Sequence, residues 1–226
     1  MERDEAAKRP ATAEAYEAVK KMIVSFELPP GQLLLMQRLA LSLGASRTPV
    51  REALVRLKEE GLVEDAPGRK FRVAPLDAKT VDDVYEARRL LEGRAVKVLA
   101  RRAGEVDYGA MEETIRRAAG CLKKGDRDGF FEADRRFHEL LVELHGNAVF
   151  IDCFRRIKDG LQRIRRLTAA NPERMRKTVD EHREIVELLR AGDGKGARAV
   201  LFRHFEQSRS DMRERLSRGL PGLFIG

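Results

Sequence analysis

Apolar residues recur every three or four positions over most of this chain, the period of amphipathic helices, and only the stretch 62–73 alternates with the period of a strand. Ala15, Val19, Met22, Ile23 and Phe26 predict an inward helix face over 13–26, behind a polar segment 1–10 that reads as frayed. Leu28-Pro29-Pro30-Gly31 breaks that helix. A short second helix is expected over 36–43, ending at Gly44. A third follows within a few residues, with Ser46 as its cap, Pro49 in the first turn where a missing N–H costs nothing, and Gly61 as its stop. On this third helix Val50, Ala53, Leu54 and Leu57 form an apolar stripe, while Arg47, Thr48 and Arg51 cluster about a third of a turn away. One stripe packs, and the other is free to touch phosphates and base edges. Two short helices joined by a glycine-containing turn predict a helix-turn-helix. The alternating segments 62–65 and 70–73 then predict a hairpin around Ala66-Pro67-Gly68-Arg69, a wing with a basic tip.

Beyond Lys79 every period is helical, with expected helices over 81–103, 108–124, 127–145, 148–168, 173–190 and 195–216, so this part should be a helical bundle. The fold class is therefore mainly α. A winged helix-turn-helix domain is expected over 1–76, and an all-α effector-binding and dimerisation domain over 77–226. A chain of 226 residues with 42% hydrophobic residues can build both cores. Forty-five Lys and Arg against 37 Asp and Glu give a net charge of +8, which favours a polyanionic partner, although helical proteins carry much charge on solvated faces. No apolar run approaches the ~20 residues of a membrane span, and the start has no signal-peptide core, so the protein is expected to be cytoplasmic with no membrane partner. Cys121 and Cys153 fall in helical patterns outside any C-x-x-C arrangement and are expected to be buried free thiols.

Residues 28–73 resemble the GntR-type bacterial transcription regulators through Pro30-Gly31, Leu39-Ala40, Leu43-Gly44-Ala45-Ser46-Arg47-Thr48-Pro49-Val50-Arg51-Glu52-Ala53-Leu54, Leu57 and Glu60-Gly61-Leu62-Val63. The resemblance implies that Arg47, Thr48 and Arg51 contact an operator, with Arg47 and Arg51 suited to guanine because a guanidinium matches O6 and N7 bidentately. It puts the wing residues Gly68, Arg69 and Lys70 beside the same DNA. Met36 stands where the family usually has an acidic residue, and Lys70 at a wing position that is often glycine. Arg56 and Lys58 read as surface charges, and Arg56 can pair with Glu52 at i,i+4. Further on, Tyr85-Glu86-Ala87-Arg88-Arg89-Leu90-Leu91-Glu92, Asp134-Arg135-Arg136-Phe137-His138 and Glu181-His182-Arg183-Glu184-Ile185 resemble the FCD effector domain of the FadR-like branch.

The chain has four histidines. Asp134 and His138 are i,i+4 on one helix, and His182 and His204 share faces with apolar neighbours, so all four side chains should point into the bundle. Spacing alone leaves two readings open: one shared ion, or separately hydrogen-bonded core histidines. The FCD resemblance matches Asp134, His138, His182 and His204 to metal-binding members, implying a divalent ion for which zinc, nickel and manganese all suit the ligand types. His145 lies two turns beyond His138, about 10 Å along the helix, and is read as structural. Arg88 falls on an inward face and needs either an acidic effector or a structural carboxylate such as Glu92. Asn147 follows Gly146 and reads as a helix cap, while the resemblance puts its segment near an effector cavity.

These expectations describe a regulator, not an enzyme: a homodimeric repressor that reads an inverted repeat in double-stranded DNA and is controlled by a small organic acid at a metal. Two alternatives stand beside it. One is the same architecture with an apolar, acyl-type effector and no metal. The other is a metal hydrolase, which lacks a motif such as H-E-x-x-H and leaves the winged helix unexplained.

Overall fold

Helix α3 (Arg47–Glu59) is the centre of the first of two units, which divide between Asp77 and Ala78 in a computed structural model describing residues 3–167 and 171–218. Its stripe of Val50, Ala53, Leu54 and Leu57 is fully buried, in one cluster with Tyr16, Val19 and Ile23 of α1 (Arg3–Val24) and with Val63, Phe71 and Val73 of the sheet. Burying each such Val or Leu side chain contributes about 1.5–3 kcal/mol, so this stripe alone defines how α3 sits. Helix α2 (Met36–Ser42) adds Leu39 and Ala40 to the same core.

The wing is a hairpin of β2 (Val63–Ala66) and β3 (Lys70–Val73), antiparallel, with Val63 opposite Val73 and Ala66 opposite Lys70. Gly68 and Arg69 both take left-handed φ, 79° and 57°, to close the turn; for Arg69 that conformation costs about 1–2 kcal/mol. A third strand, β1 (Leu33–Leu34), pairs with the other edge of β3 and gives the order β1-β3-β2. Two residues are too short to show a period, which is why β1 was not expected.

Several local expectations change. Helix α1 begins at Arg3, so the polar segment continues the helix where fraying was expected; residues 1 and 2 lie outside the described residues. Ser46 occupies the N-cap position with extended backbone, but its side chain makes no capping hydrogen bond. Arg56 pairs with Glu60 at 3.6 Å and lies 3.9 Å from the Tyr16 ring centre, whereas Glu52 accepts from Thr12 Oγ1 at 2.8 Å. Glu60 also accepts from Tyr16 and Lys20, fastening α1 to the end of α3.

The second unit contains α4 (Ala78–Arg101), α5 (Gly109–Lys124), α6 (Arg127–His145), α7 (Ala148–Leu167), α8 (Pro172–Arg190) and α9 (Gly194–Ser217). These are the expected helices, with described ends displaced by at most three residues; Thr168, the expected end of α7, lies outside the described residues. Caps explain the agreement. Asp126, Asn171 and Asp193 accept from the backbone N–H of Gly129, Glu173 and Gly196 at 2.8–3.0 Å, and left-handed Gly125 and Gly146 end α5 and α6. Helix α4 packs on α6 and α9, and α8 on α5 and α9, around Tyr85, Leu99, Phe137, Leu141, Ile185, Leu201 and Phe205. Cys121 is half-buried and Cys153 exposed, both as free thiols, so the expectation of burial fails for Cys153. Among the described residues no helix is long and apolar enough to cross a membrane.

Candidate DNA interface and metal centre

Because the apolar stripe of α3 faces the core, Arg47, Thr48 and Arg51 are exposed on its outer face. Gly68, Arg69 and Lys70 are exposed at the wing tip. Arg47, Arg69 and Lys70 line one cleft of about 480 Å3 together with Arg38 of α2, which sequence reasoning missed. Its only sequence signal is a charge on a short exposed helix preceding the turn. The cleft gathers four cations from three elements.

In the bundle, α6 carries Asp134 and His138 one turn apart, α8 presents His182, and α9 presents His204; all four are buried. One ligand atom from each lies within 4.8 Å of the others. The three imidazole centres form a near-equilateral triangle with sides of 5.0, 5.3 and 5.1 Å. Nε2 of His138 and Nε2 of His182 face Asp134 Oδ1 at 3.7 and 3.6 Å, beyond hydrogen-bond length but suited to atoms that share a cation between them. His182 is held by stacking on Phe137, with ring centres 3.8 Å apart.

Two carboxylates aim the rings. Glu92 Oε2 stands 2.6 Å from His138 Nδ1, and Glu181 Oε2 stands 2.8 Å from His204 Nδ1, which places the ring proton on Nδ1 and leaves Nε2 as the donor toward the cluster. Burial favours the neutral imidazole of His204, with the Glu181 hydrogen bond opposing it, and the neutral form is the one that binds a metal. Burial raises the Glu181 carboxyl, but the hydrogen bond from His204 and the charge and hydrogen bond of Arg174 outweigh it and hold the group at about 2. Glu181 therefore stays ionised. Its role was missed because only the packing of α8 on α9 brings it to His204; its place beside His182 in the sequence carried no such signal. The donor set, one oxygen and three imidazole nitrogens with oriented rings, fits a divalent transition ion.

A cavity of about 50 Å3 adjoins the cluster, with Asp134, His204, Arg88 and Arg174 among its walls. Arg88 is 1% exposed; its Nε donates to Glu92 Oε1 at 2.7 Å, while its Nη2 has no hydrogen-bond partner. The structural carboxylate and the available cation are thus both present at Arg88. Asn147 is different. It is exposed, its Oδ1 accepts from Val149 and Phe150 N–H at 2.9 and 3.3 Å as the cap of α7, and it is not among the residues lining this cavity. The effector expectation for Asn147 therefore gives way to the cap. His145 is half-buried against Phe150, with ring centres 4.8 Å apart, and stands outside the cluster.

A winged helix-turn-helix and a helical bundle with a buried ligand set together define a regulator class, and the comparisons agree. The family of bacterial regulatory proteins of the gntR type matches residues 11–73, and the FCD domain family matches residues 83–207. An HTH-type transcriptional regulator from an unstable DNA locus of Streptomyces ambofaciens is 32% identical over 209 residues, covering 92% of this chain and 87% of the relative. A GntR regulator from Rhodococcus sp. RHA1 shares the fold with a TM-score of 0.77 at 22% identity, over 89% of this chain and 96% of that one. The FCD domain of TM0439, solved with Zn2+ bound, has a TM-score of 0.54 at 22% identity, over 64% of this chain and 99% of that one. This chain belongs to the GntR family, in the group whose second domain is FCD, and is a DNA-binding transcription regulator. Its relatives regulate transcription, which removes the ground for a hydrolase.

Proposed function

We propose that the protein is a homodimeric repressor of the cytoplasm, whose operator binding is controlled by a small carboxylate held beside a divalent metal in the bundle. The observation that carries this reading is the juxtaposition of Asp134, His138, His182 and His204 with a cavity into whose wall Arg88 is built. Zinc bound to the FCD domain of TM0439 supports the metal, with nickel and manganese compatible with the same ligands. A bound ion, held by Asp134, His138, His182 and His204, would supply positive charge beside the cavity, and Arg88 would supply the hydrogen-bonding cation for the carboxylate. A cavity of about 50 Å3 with two arginines and two carboxylates on its walls favours a small acid over an acyl chain.

On DNA, Arg47 and Arg51 read base edges, Thr48 supports them, and Gly68, Arg69 and Lys70 of the wing follow the phosphates. Two copies set their recognition helices about 34 Å apart and read an inverted repeat. The effector acts by binding the two operator-competent and operator-incompetent states unequally. The test is elemental analysis of purified protein joined to operator titrations with and without a panel of small carboxylates. About one divalent ion per chain, and release of operator by a member of the panel, is the expected result. Metal-free protein indifferent to added zinc, nickel and manganese would return the apolar-effector reading to first place.

A further inference from the structure

Glu92 stands where the two chemistries of the bundle meet. It is 0% exposed, its Oε1 accepts from Arg88 Nε at 2.7 Å, and its Oε2 lies 2.6 Å from Nδ1 of His138, whose Nε2 belongs to the ligand cluster. Arg88 is seated among aromatic faces, with its guanidinium carbon 4.1 Å from the Phe205 ring centre and 5.3 Å from that of Tyr85, and it borders the cavity. One buried carboxylate therefore touches, on one oxygen, the cation available to an anion in the cavity and, on the other, a ring that faces the metal position. Glu181 aims His204 in the same way, but its arginine, Arg174, also engages Ser208 and Asp211 and is 16% exposed at the cavity wall. Of these two carboxylates, Glu92 is the one buried together with its arginine and its histidine.

We propose that Glu92 is a positioning residue that couples anion binding in the cavity to metal affinity in the cluster, so that each ligand strengthens the other. The inference rests on the metal-and-carboxylate reading above. An anion arriving at Arg88 shares the guanidinium charge that otherwise neutralises Glu92. Glu92 then draws harder on the Nδ1–H of His138, and Nε2 becomes a stronger donor. In a water-free interior such a chain of hydrogen bonds transmits polarisation more strongly than in water. Reciprocity follows from linkage: if the anion tightens the metal by some factor, the metal tightens the anion by the same factor.

The experiment uses the full-length protein, zinc as the metal and acetate as the probe anion. Zinc affinity is measured by chelator competition with and without acetate, for the wild type, Glu92→Gln and Glu92→Asp, and the His138 ring nitrogens are followed by NMR. Acetate should tighten zinc binding to the wild type by roughly 5-fold or more, within the usual range of coupling between sites. Acetate's own weak affinity for free zinc acts in the opposite sense and cannot imitate this result. Glu92→Gln should weaken zinc by about 10–100-fold, as loss of an orienting partner does, and should abolish the acetate response of both zinc affinity and the ring nitrogens. Gln leaves the buried Arg88 charge without its counterion and is the variant more exposed to misfolding. Glu92→Asp keeps a negative charge for Arg88 but falls one methylene short of His138, and should lose the acetate response in the same way. Wild-type zinc affinity indifferent to acetate, or an acetate response intact in the folded variants, overturns the coupling while leaving the metal site standing. A wild type that binds no zinc overturns the metal reading and the coupling with it.

Discussion

Arg51 and Arg88 are one residue type used in opposite ways by the two units. Arg51 lies exposed on the outer face of α3 beside Arg47, on the side proposed above to meet DNA. Arg88 is sealed at 1% exposure against Glu92, in a connected buried set that runs to His138 and Asp134. An exposed cation contributes only when its partner arrives and is screened by salt until then. A buried one is costly unless paired at all times, so its neighbours are bound into one arrangement. Substitutions should therefore act separately in one region and jointly in the other. Changes on the α3 face should add, whereas changes in the buried set should couple.

The largest expected effect is in the bundle. Stripping zinc from protein saturated at 100 to 1,000 times Kd should lower stability by about 3–4 kcal/mol, read as a fall in Tm, because an ion that binds only the folded state contributes its binding to folding. His138→Ala, His182→Ala and His204→Ala should each lower metal content, and His145→Ala should not, since His145 stands outside the cluster. Metal content unchanged in the first three would break the contrast between the two regions. Next, Arg47→Ala or Arg51→Ala should weaken specific operator binding by about 1–3 kcal/mol each, with metal content and Tm unaltered. Equal affinity in both variants, measured by fluorescence anisotropy, would remove α3 from the interface.

Smaller effects sharpen the line. Asn147→Ala should cost about 0.5–2 kcal/mol of stability through the lost cap of α7, with zinc and acetate affinities at wild-type values. A selective loss of acetate binding there would restore its effector role. Lys70→Ala should weaken operator and random DNA alike and reduce the salt slope by about 1, the behaviour of a phosphate contact. Discrimination lost at a single base pair would instead make Lys70 a reader of sequence.

Much of the architecture was legible in the residues because its cues are local. The period placed the bundle helices, and Asp126, Asn171 and Asp193 with Gly125 and Gly146 marked their ends. The exposed trio of α3 could be separated from its core stripe because both lie on one helix. Arg56 and Cys153 went the other way. A helical wheel gives a direction from one axis, but the packing of α1 decides that Arg56 meets Glu60 and Tyr16, and the exposed side of α7 receives Cys153. β1 was invisible at two residues, since its partner β3 lies nearly forty positions away.

The inward side of each helix is written in the residues, because burial of apolar positions at a 3.6-residue period needs no knowledge of the partner. The sequence could therefore point Asp134, His138, His182, His204 and Arg88 into the bundle, but not say which of them meet. Packing of the helices brings four ligand atoms of α6, α8 and α9 within 4.8 Å, joins Arg88 to His138 through Glu92 on α4, and keeps Asn147 at the surface. Convergence depends on the packing of helices far apart in the chain, and a period carried within one helix holds no information about its neighbour's azimuth.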